Sequence, residues 1–374
     1  MQQMCYNIMF NKENLVIMET TMGNGKKRGD MPPYNFKQQK PKMQAPAVTS
    51  LLDNMKDGKE YESIIVLKNI NVDLGKEINR CVNEISSIRK RPVVCYIANV
   101  INGTIRSSIS IDNSDDKPFL EMLNSVPIES KDIDILIVTP GGSAETVANF
   151  VNRIRARFDH VGFILPYMAM SAGTIFCLSG DEIIMDENAF IGPIDPQVPS
   201  RDGRYVPAQS ITTLIKDIQD RGQDQLNKGG QPGWSDIQIL RNLDPKEIGN
   251  SLNASQFSID LVSDYLENYK FRTWINHSDG RQVTPEDRKK RASEIAAQLC
   301  KHSLWLSHAR RVSREMAWNT CKLKIVHPEE IDGLAKAIKR FWALMCFSLE
   351  NTFMFKVFVS NNYMLFRHEQ PVQK

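Results

Sequence analysis

The sequence predicts an α/β fold built on a mainly parallel sheet. Three observations carry that prediction. Short apolar runs at 133–138, 161–165 and 182–185 alternate with stretches of helical period. The runs are almost unbroken, the pattern of strands covered on both faces. Two of them lead into small-residue turns, Thr139-Pro140-Gly141-Gly142-Ser143 and Met170-Ser171-Ala172-Gly173-Thr174, each placed before a helix.

The 374 residues suffice for one large domain or two smaller ones, and they fall into three textures: 1–55, 56–200 and 201–374. Residues 1–55 hold Lys26-Lys27-Arg28, Pro32-Pro33 and little apolar surface, so a disordered N-terminal extension is expected. Residues 56–200 are the expected core. A short apolar run at 64–67 opens its alternation of strands and helices. Leu74, Ile78, Val82 and Ile85 then recur at helical spacing across 73–89. A strand is expected over 92–100, a short helix over 119–126 and a strand over 133–138. Val147, Phe150, Val151 and Ile154 form one stripe of a helix over 144–158. A strand at 161–165, a helix at 171–178 and a strand at 182–185 complete this part. Residues 201–374 are expected to extend the core with helices. Ile211, Leu214, Ile215 and Ile218 share one side of a helix over 210–225, and Gly229, Gly230, Pro232 and Gly233 mark a loop. Residues 255–275 and 285–318 are helical and rich in charge. The segment 341–366 is interrupted by Glu350, Asn351 and Lys356, so it is expected to pack on the core as helix and strand, not to span a membrane.

A net charge of +3 is too small to point to nucleic acid or an acidic lipid surface. Cys5, Cys81, Cys95, Cys177, Cys300, Cys321 and Cys346 are scattered and odd in number, without a CxxC pair, which suggests neither a zinc site nor a disulfide framework. No basic stretch followed by an apolar core marks a leader. A cytoplasmic location is the expectation.

The two small-residue turns carry the chemistry. Gly141-Gly142 after a strand presents backbone N–H groups suited to a phosphate or an oxyanion. It is neither GxGxxG nor GxxxxGK[ST], and it also suits a plain tight turn needing positive φ. Ser171 lies among residues small enough for a substrate to approach, and the Ala172 N–H is a second candidate donor. Ser171 also suits a simple helix N-cap, and GxSxG is absent.

Taken together the turns carry a resemblance. Residues 133–197, with TPGGSAETV, AMSAGT and GDEIIMDENAFIGPIDPQ, resemble the ClpP/crotonase superfamily of spiral ββα folds. Within it the chain is most similar to the SDH proteinase family, related to signal peptide peptidase A. A later Trp305-Leu306-Ser307-His308-Ala309-Arg310 matches that family's W-x-SH-x-R segment, and the likeness runs from about Glu60 to Arg367. The resemblance implies a ClpP/crotonase-like core with a helical C-terminal extension. It implies a serine peptidase with Ser171 as nucleophile and the N–H groups of Gly142 and Ala172 as oxyanion hole, where losing one donor costs on the order of 100- to 1000-fold in rate. Peptide or protein substrates, homo-oligomers and no metal or organic cofactor go with it. Membrane association is an option for the family, not an expectation here.

The base is open at this stage. ClpP-like proteases place a histidine shortly after the serine, and Ile191-Gly192-Pro193-Ile194-Asp195-Pro196 contains none. The family's Ser, Asp, His order matches Asp195 and His308, with His302 a weaker rival. Relatives of signal peptide peptidase A use lysine, for which Lys216 is placed best. Each has a plainer role: His308 on a solvated basic face, Lys216 off the apolar stripe of its helix, Asp195 capping a turn. Trp305 and Trp274 read as core anchors, and Arg310 as a partner for a carboxylate such as Asp195. Two other functions share the fold: a crotonase-type acyl-CoA enzyme, and a non-catalytic scaffold.

Overall fold

The computed structural model describes residues 51–66, 73–200 and 203–369. The expected N-terminal extension therefore falls almost wholly outside the described residues. So do Leu67, the last residue of the first apolar run, and Cys5. In chain order the elements are α1 (Glu60–Val66), α2 (Leu74–Arg89), β1 (Val93–Ala98), α3 (Asp116–Asn124), β2 (Asp132–Val138), α4 (Ala144–Arg155), β3 (His160–Leu165), β4 (Met168–Ala169), α5 (Ala172–Leu178), β5 (Glu182–Met185), β6 (Phe190–Ile191), β7 (Gln197–Pro199) and β8 (Tyr205–Pro207). There follow α6 (Ala208–Asn227), α7 (Trp234–Asn242), α8 (Pro245–Tyr265), α9 (Pro285–Cys300), α10 (His302–Trp305), α11 (Arg314–Cys321), α12 (Leu334–Glu350), β9 (Met354–Ser360) and β10 (Met364–His368).

The main sheet has six strands in the order β10-β9-β1-β2-β3-β5. The pairs β1–β2, β2–β3 and β3–β5 are parallel, while β9 pairs antiparallel with both β1 and β10. A small parallel pair, β4–β6, lies beyond the C-terminal ends of the central strands, joined to the turn after β2 by a bridge between Thr139 and Ala169. This is a mixed α/β fold with a mainly parallel sheet.

The unbroken apolar strands are explained by cover on both faces. Val94, Tyr96, Ile133, Ile135, Ile137, Phe163 and Leu165 pack under α3, α4, α5, α8 and α9. Their alternate neighbours Val93, Cys95, Ile97, Leu136, Val138 and Ile164 pack under α2 and α12. Asp134, within β2, is the exception. It is wholly buried and meets the Arg89 side chain at 2.6 Å, with Arg91 and Glu182 completing the cluster. Burial pushes its carboxyl up despite the pull of Arg89.

Two expectations change. The described part of the first apolar run, residues 64–66, lies in helix α1, with Ile64 its buried apolar contact, and is not a strand. The stretch 285–318 is three helices, broken at extended Lys301 and at Leu306, which has φ +61. Of the tryptophans, Trp305 is a buried anchor whose indole N–H donates to the Gln298 carbonyl at 2.9 Å, while Trp274 is half-buried. The six described cysteines are unpaired. No described helix is long and apolar enough to cross a membrane.

The Phe119 and Phe150 rings stack at 4.1 Å in the core beneath α4. Phe150→Ala is expected to lower the unfolding free energy by about 3–5 kcal/mol in urea denaturation. A loss below about 1 kcal/mol, the scale of a mild core trim, would contradict this packing.

Candidate active site

Strands β2 and β3 are parallel neighbours, so their C-terminal ends and the turns that follow emerge side by side. The Thr139 N–H donates to the Met168 carbonyl (2.9 Å) and the Met170 N–H to the Thr139 carbonyl (3.1 Å), stitching the two turns together. Gly141 has φ +104 and Gly142 φ +147, values that favour glycine. A Cβ on Gly141 would lie 2.7 Å from the Met170 carbonyl oxygen and 2.8 Å from Ser171 Cβ. The contact between turns requires a bare Cα there. Gly192 closes the other side: a Cβ on it would fall 3.3 Å from the Ser171 nitrogen. Its N–H donates to the Thr174 hydroxyl at 2.9 Å. Three short segments singled out in the sequence thus converge.

Ser171 sits at the head of α5 with φ +51 and ψ −118, although it is not glycine. Such a conformation costs of order 1–3 kcal/mol and persists only where the surroundings enforce it. Its side chain does not cap α5, and among the described residues its hydroxyl has no hydrogen-bond partner. The N–H groups of Gly142 and Ala172 likewise have no acceptor among the described residues. The neighbouring Gly141 N–H is taken by the Thr139 hydroxyl at 3.1 Å.

Asp195, three residues past Gly192, is wholly buried. Its Oδ1 meets His308 Nδ1 at 2.8 Å and its Oδ2 meets His302 Nδ1 at 2.9 Å. A carboxylate accepts and does not donate, so each Nδ1 carries the proton and each Nε2 is left as an acceptor. The loop bearing both histidines is tied down at its two ends. The Ile194 N–H donates to the Leu299 carbonyl (3.0 Å), and Ile191 and Val312 exchange backbone hydrogen bonds at 3.1 and 2.9 Å. From the first turn of α6, the Gln209 side-chain Oε1 accepts the His302 backbone N–H at 2.8 Å. Burial, and then the Asp195 charge, push the nearby Cys300 thiol up to about 12, so it is no thiolate near neutral pH.

The structure thus gathers Gly142, Ser171 and Ala172 in one cluster and Asp195, His302 and His308 in another, linked by residues 192–195. It does not bring Lys216 to either: that side chain is on the exposed face of α6, two turns beyond Gln209. Arg310 is exposed, and Asp195 takes the histidines in its place. Sequence reasoning ranked His302 below His308, yet the two hold Asp195 alike. It also missed Ile111, whose N–H donates to the Gly141 carbonyl (2.7 Å) and whose carbonyl accepts the Ser143 N–H (2.9 Å), bracketing Gly142. Backbone contacts of this kind leave no residue-type signal. Among the described residues no group of three or more His, Cys, Asp or Glu is arranged to hold a metal ion.

Comparison with known proteins gives the following. The family described as "ClpP-like SDH-type serine proteinase" matches residues 64–227. Two uncharacterized proteins of Methanocaldococcus jannaschii are similar: one is 37% identical over 119 residues, covering 32% of this chain and 38% of its own length. The other is 34% identical over 139 residues, covering 35% and 44%. The chain therefore spans under half the length of these curated relatives. Among solved structures, a serine-to-alanine mutant of the 1510-N membrane-bound stomatin-specific protease aligns over 58% of this chain and 74% of that one, at 16% identity and a TM-score of 0.34. A lysine-to-alanine mutant of the same protease in complex with a substrate peptide aligns over 58% and 70%, at 17% identity and a TM-score of 0.34.

The two imidazoles can be read directly. In long-range 1H–15N spectra of the neutral rings, His302 and His308 are both expected as the Nδ1–H tautomer, and Asp195→Asn, which retains one acceptor oxygen, is expected to switch one of them. An Nε2–H signal from either ring in the unmodified protein would contradict the geometry. The stretch 64–227, which holds both small-residue turns and Asp195, is similar to the ClpP-like SDH-type serine proteinase family.

Proposed function

We propose that this chain is a serine peptidase that cleaves peptide bonds through an acyl-enzyme on Ser171. One observation carries the proposal: Ser171 is held in a strained backbone conformation with its hydroxyl uncommitted, next to the unpartnered N–H groups of Gly142 and Ala172. A serine serving only as a helix cap needs no such strain, and a crotonase-type acyl-CoA enzyme needs no nucleophile there.

In the proposed mechanism His308 is the base. Its Nδ1–H is held by Asp195, which fixes the ring and leaves Nε2 to take the Ser171 proton as Oγ attacks the scissile carbonyl. The carbonyl π bond opens, and the negative oxygen accepts hydrogen bonds from Gly142 and Ala172. Collapse of the tetrahedral adduct breaks the C–N bond, and the imidazolium returns its proton to the leaving amine. Water then attacks the Ser171 ester, giving its proton to Nε2, and the acid product leaves as Ser171 is restored. The hydrogen bond from His308 to the buried Asp195 supports His308 over Lys216, which is exposed on α6.

A fluorophosphonate probe is expected to label Ser171, and Ser171→Ala to abolish labelling. His308→Ala should slow labelling by about 100-fold or more, the usual worth of a general base. Lys216→Ala should leave it unchanged. Slow labelling in Lys216→Ala with a normal rate in His308→Ala would transfer the base to Lys216, and equal labelling of Ser171→Ala would sink the nucleophile.

A further inference from the structure

Lys356, in the centre of β9, is 1% exposed. A lysine buried to that degree loses its hydration, and a well-packed apolar residue in its place is often as stable or more so. The contacts it makes point to a geometric role. The Nζ donates to the Ser110 carbonyl (2.7 Å) and to both oxygens of Asp115 (2.8 and 2.7 Å), with an Asp112 oxygen at 3.6 Å. Asp115, wholly buried, also accepts from the Tyr96 hydroxyl (2.8 Å), Arg367 (3.1 Å) and the Asp112 N–H (3.2 Å). One ammonium group thus grips residues 110–115 at both ends.

Ile111 lies between those two grips. It brackets Gly142, and a Cβ on Gly142 would collide with the Ile111 backbone. Asn113, in the same segment, accepts the Thr146 hydroxyl at 2.9 Å from the first turn of α4. From Nζ to Gly142 the path runs through one carbonyl and one residue. Lys356, Arg367 and the strands that carry them lie outside the segment 64–227 that matches the family.

We propose that Lys356, paired with Asp115, is a positioning residue that aims the Gly142 N–H into the oxyanion hole. This rests on the peptidase reading for its catalytic meaning, while the positioning itself is a statement about backbone geometry. The antiparallel β9–β10 hairpin thereby acts on the chemistry through the segment 110–115, without touching substrate.

The test compares the full chain with Lys356→Met, Lys356→Arg and the charge-neutral pair Lys356→Met with Asp115→Asn, which removes both members of the fully buried pair if the single variant fails to fold. Amide hydrogen exchange is read at Ile111 and Ser143, the two N–H groups of the bracket. In Lys356→Met and in the double variant exchange there is expected to rise by roughly fivefold or more, as for losing about one hydrogen bond, with Phe163 and Ile164 in β3 unchanged. Lys356→Arg is expected to keep most of the protection. Fluorophosphonate labelling, well below the melting temperature, should slow by roughly tenfold or more with the probe's apparent affinity unaltered, since a misaimed donor is lost mainly from the transition state. Unchanged exchange at Ile111 and Ser143, or a lower melting temperature with normal labelling, overturns the proposal. If the unmodified protein does not label at Ser171, the peptidase reading fails, and the exchange data still decide the positioning.

Discussion

The site depends on one steric constraint, the contact of the Gly141 Cα with Ser171. No side chain fits between the two turns at that point. The constraint extends outward. Gly173 packs its bare Cα against Thr139, and Gly192 does the same against Met170 and Ser171. The register of β2 against β3 determines where both turns begin. A one-residue slip would exchange the two faces of the strand, mismatching it with both cores and moving the turns apart. The doubly covered sheet resists such a slip, because each face of β2 already serves a different core cluster.

Several unfavourable features are stored around that contact. Ser171 has a strained backbone, Asp195 is a buried carboxylate, and Lys356 and Asp115 form a buried ion pair. Each costs on the order of 1 to several kcal/mol when its partners are removed. They are tolerated because their partners are many. Asp195 holds two histidines, and Asp115 holds a lysine, an arginine, a tyrosine and a backbone N–H. The other buried charge of the sheet, Asp134 with Arg89 and Arg91, lies in the strand body two residues after the first of β2. Burial of charge alone therefore does not mark the candidate site.

Much of this was legible in the sequence, for identifiable reasons. Strands covered on both faces give unbroken apolar runs, and α2 and α4 show their stripes, so 133–138 and 161–165 match β2 and β3 within one residue. The turns were legible because close approach restricts residue type to glycine, alanine and serine. The breaks at Lys301 and Leu306 were not, since neither residue is a glycine or proline, although Leu306 adopts positive φ. The pairing of Asp195 with His302 and His308 spans 107 and 113 residues and leaves no periodic trace. Lys356 was read only as a charge interrupting an apolar segment, because nothing local discloses that its partner lies 241 residues away.

The interval after Ser171 that lacks a histidine can be understood from these contacts. Residues 191–196 form the wall of the site: Gly192 packs on Ser171, and Ile191 and Ile194 anchor the incoming loop by backbone hydrogen bonds. Asp195 stands in that wall, and its two oxygens each take an Nδ1–H from a loop that arrives through Leu299 and leaves through Val312. In the mechanism proposed above, the wall contributes the orienting carboxylate and the loop contributes the ring. In the proposed mechanism this separates the group that sets the tautomer from the group that moves the proton. The order Ser171, Asp195, His308 along the chain follows from that division, since the carboxylate belongs to the core and the imidazole to the helical segment folded over it.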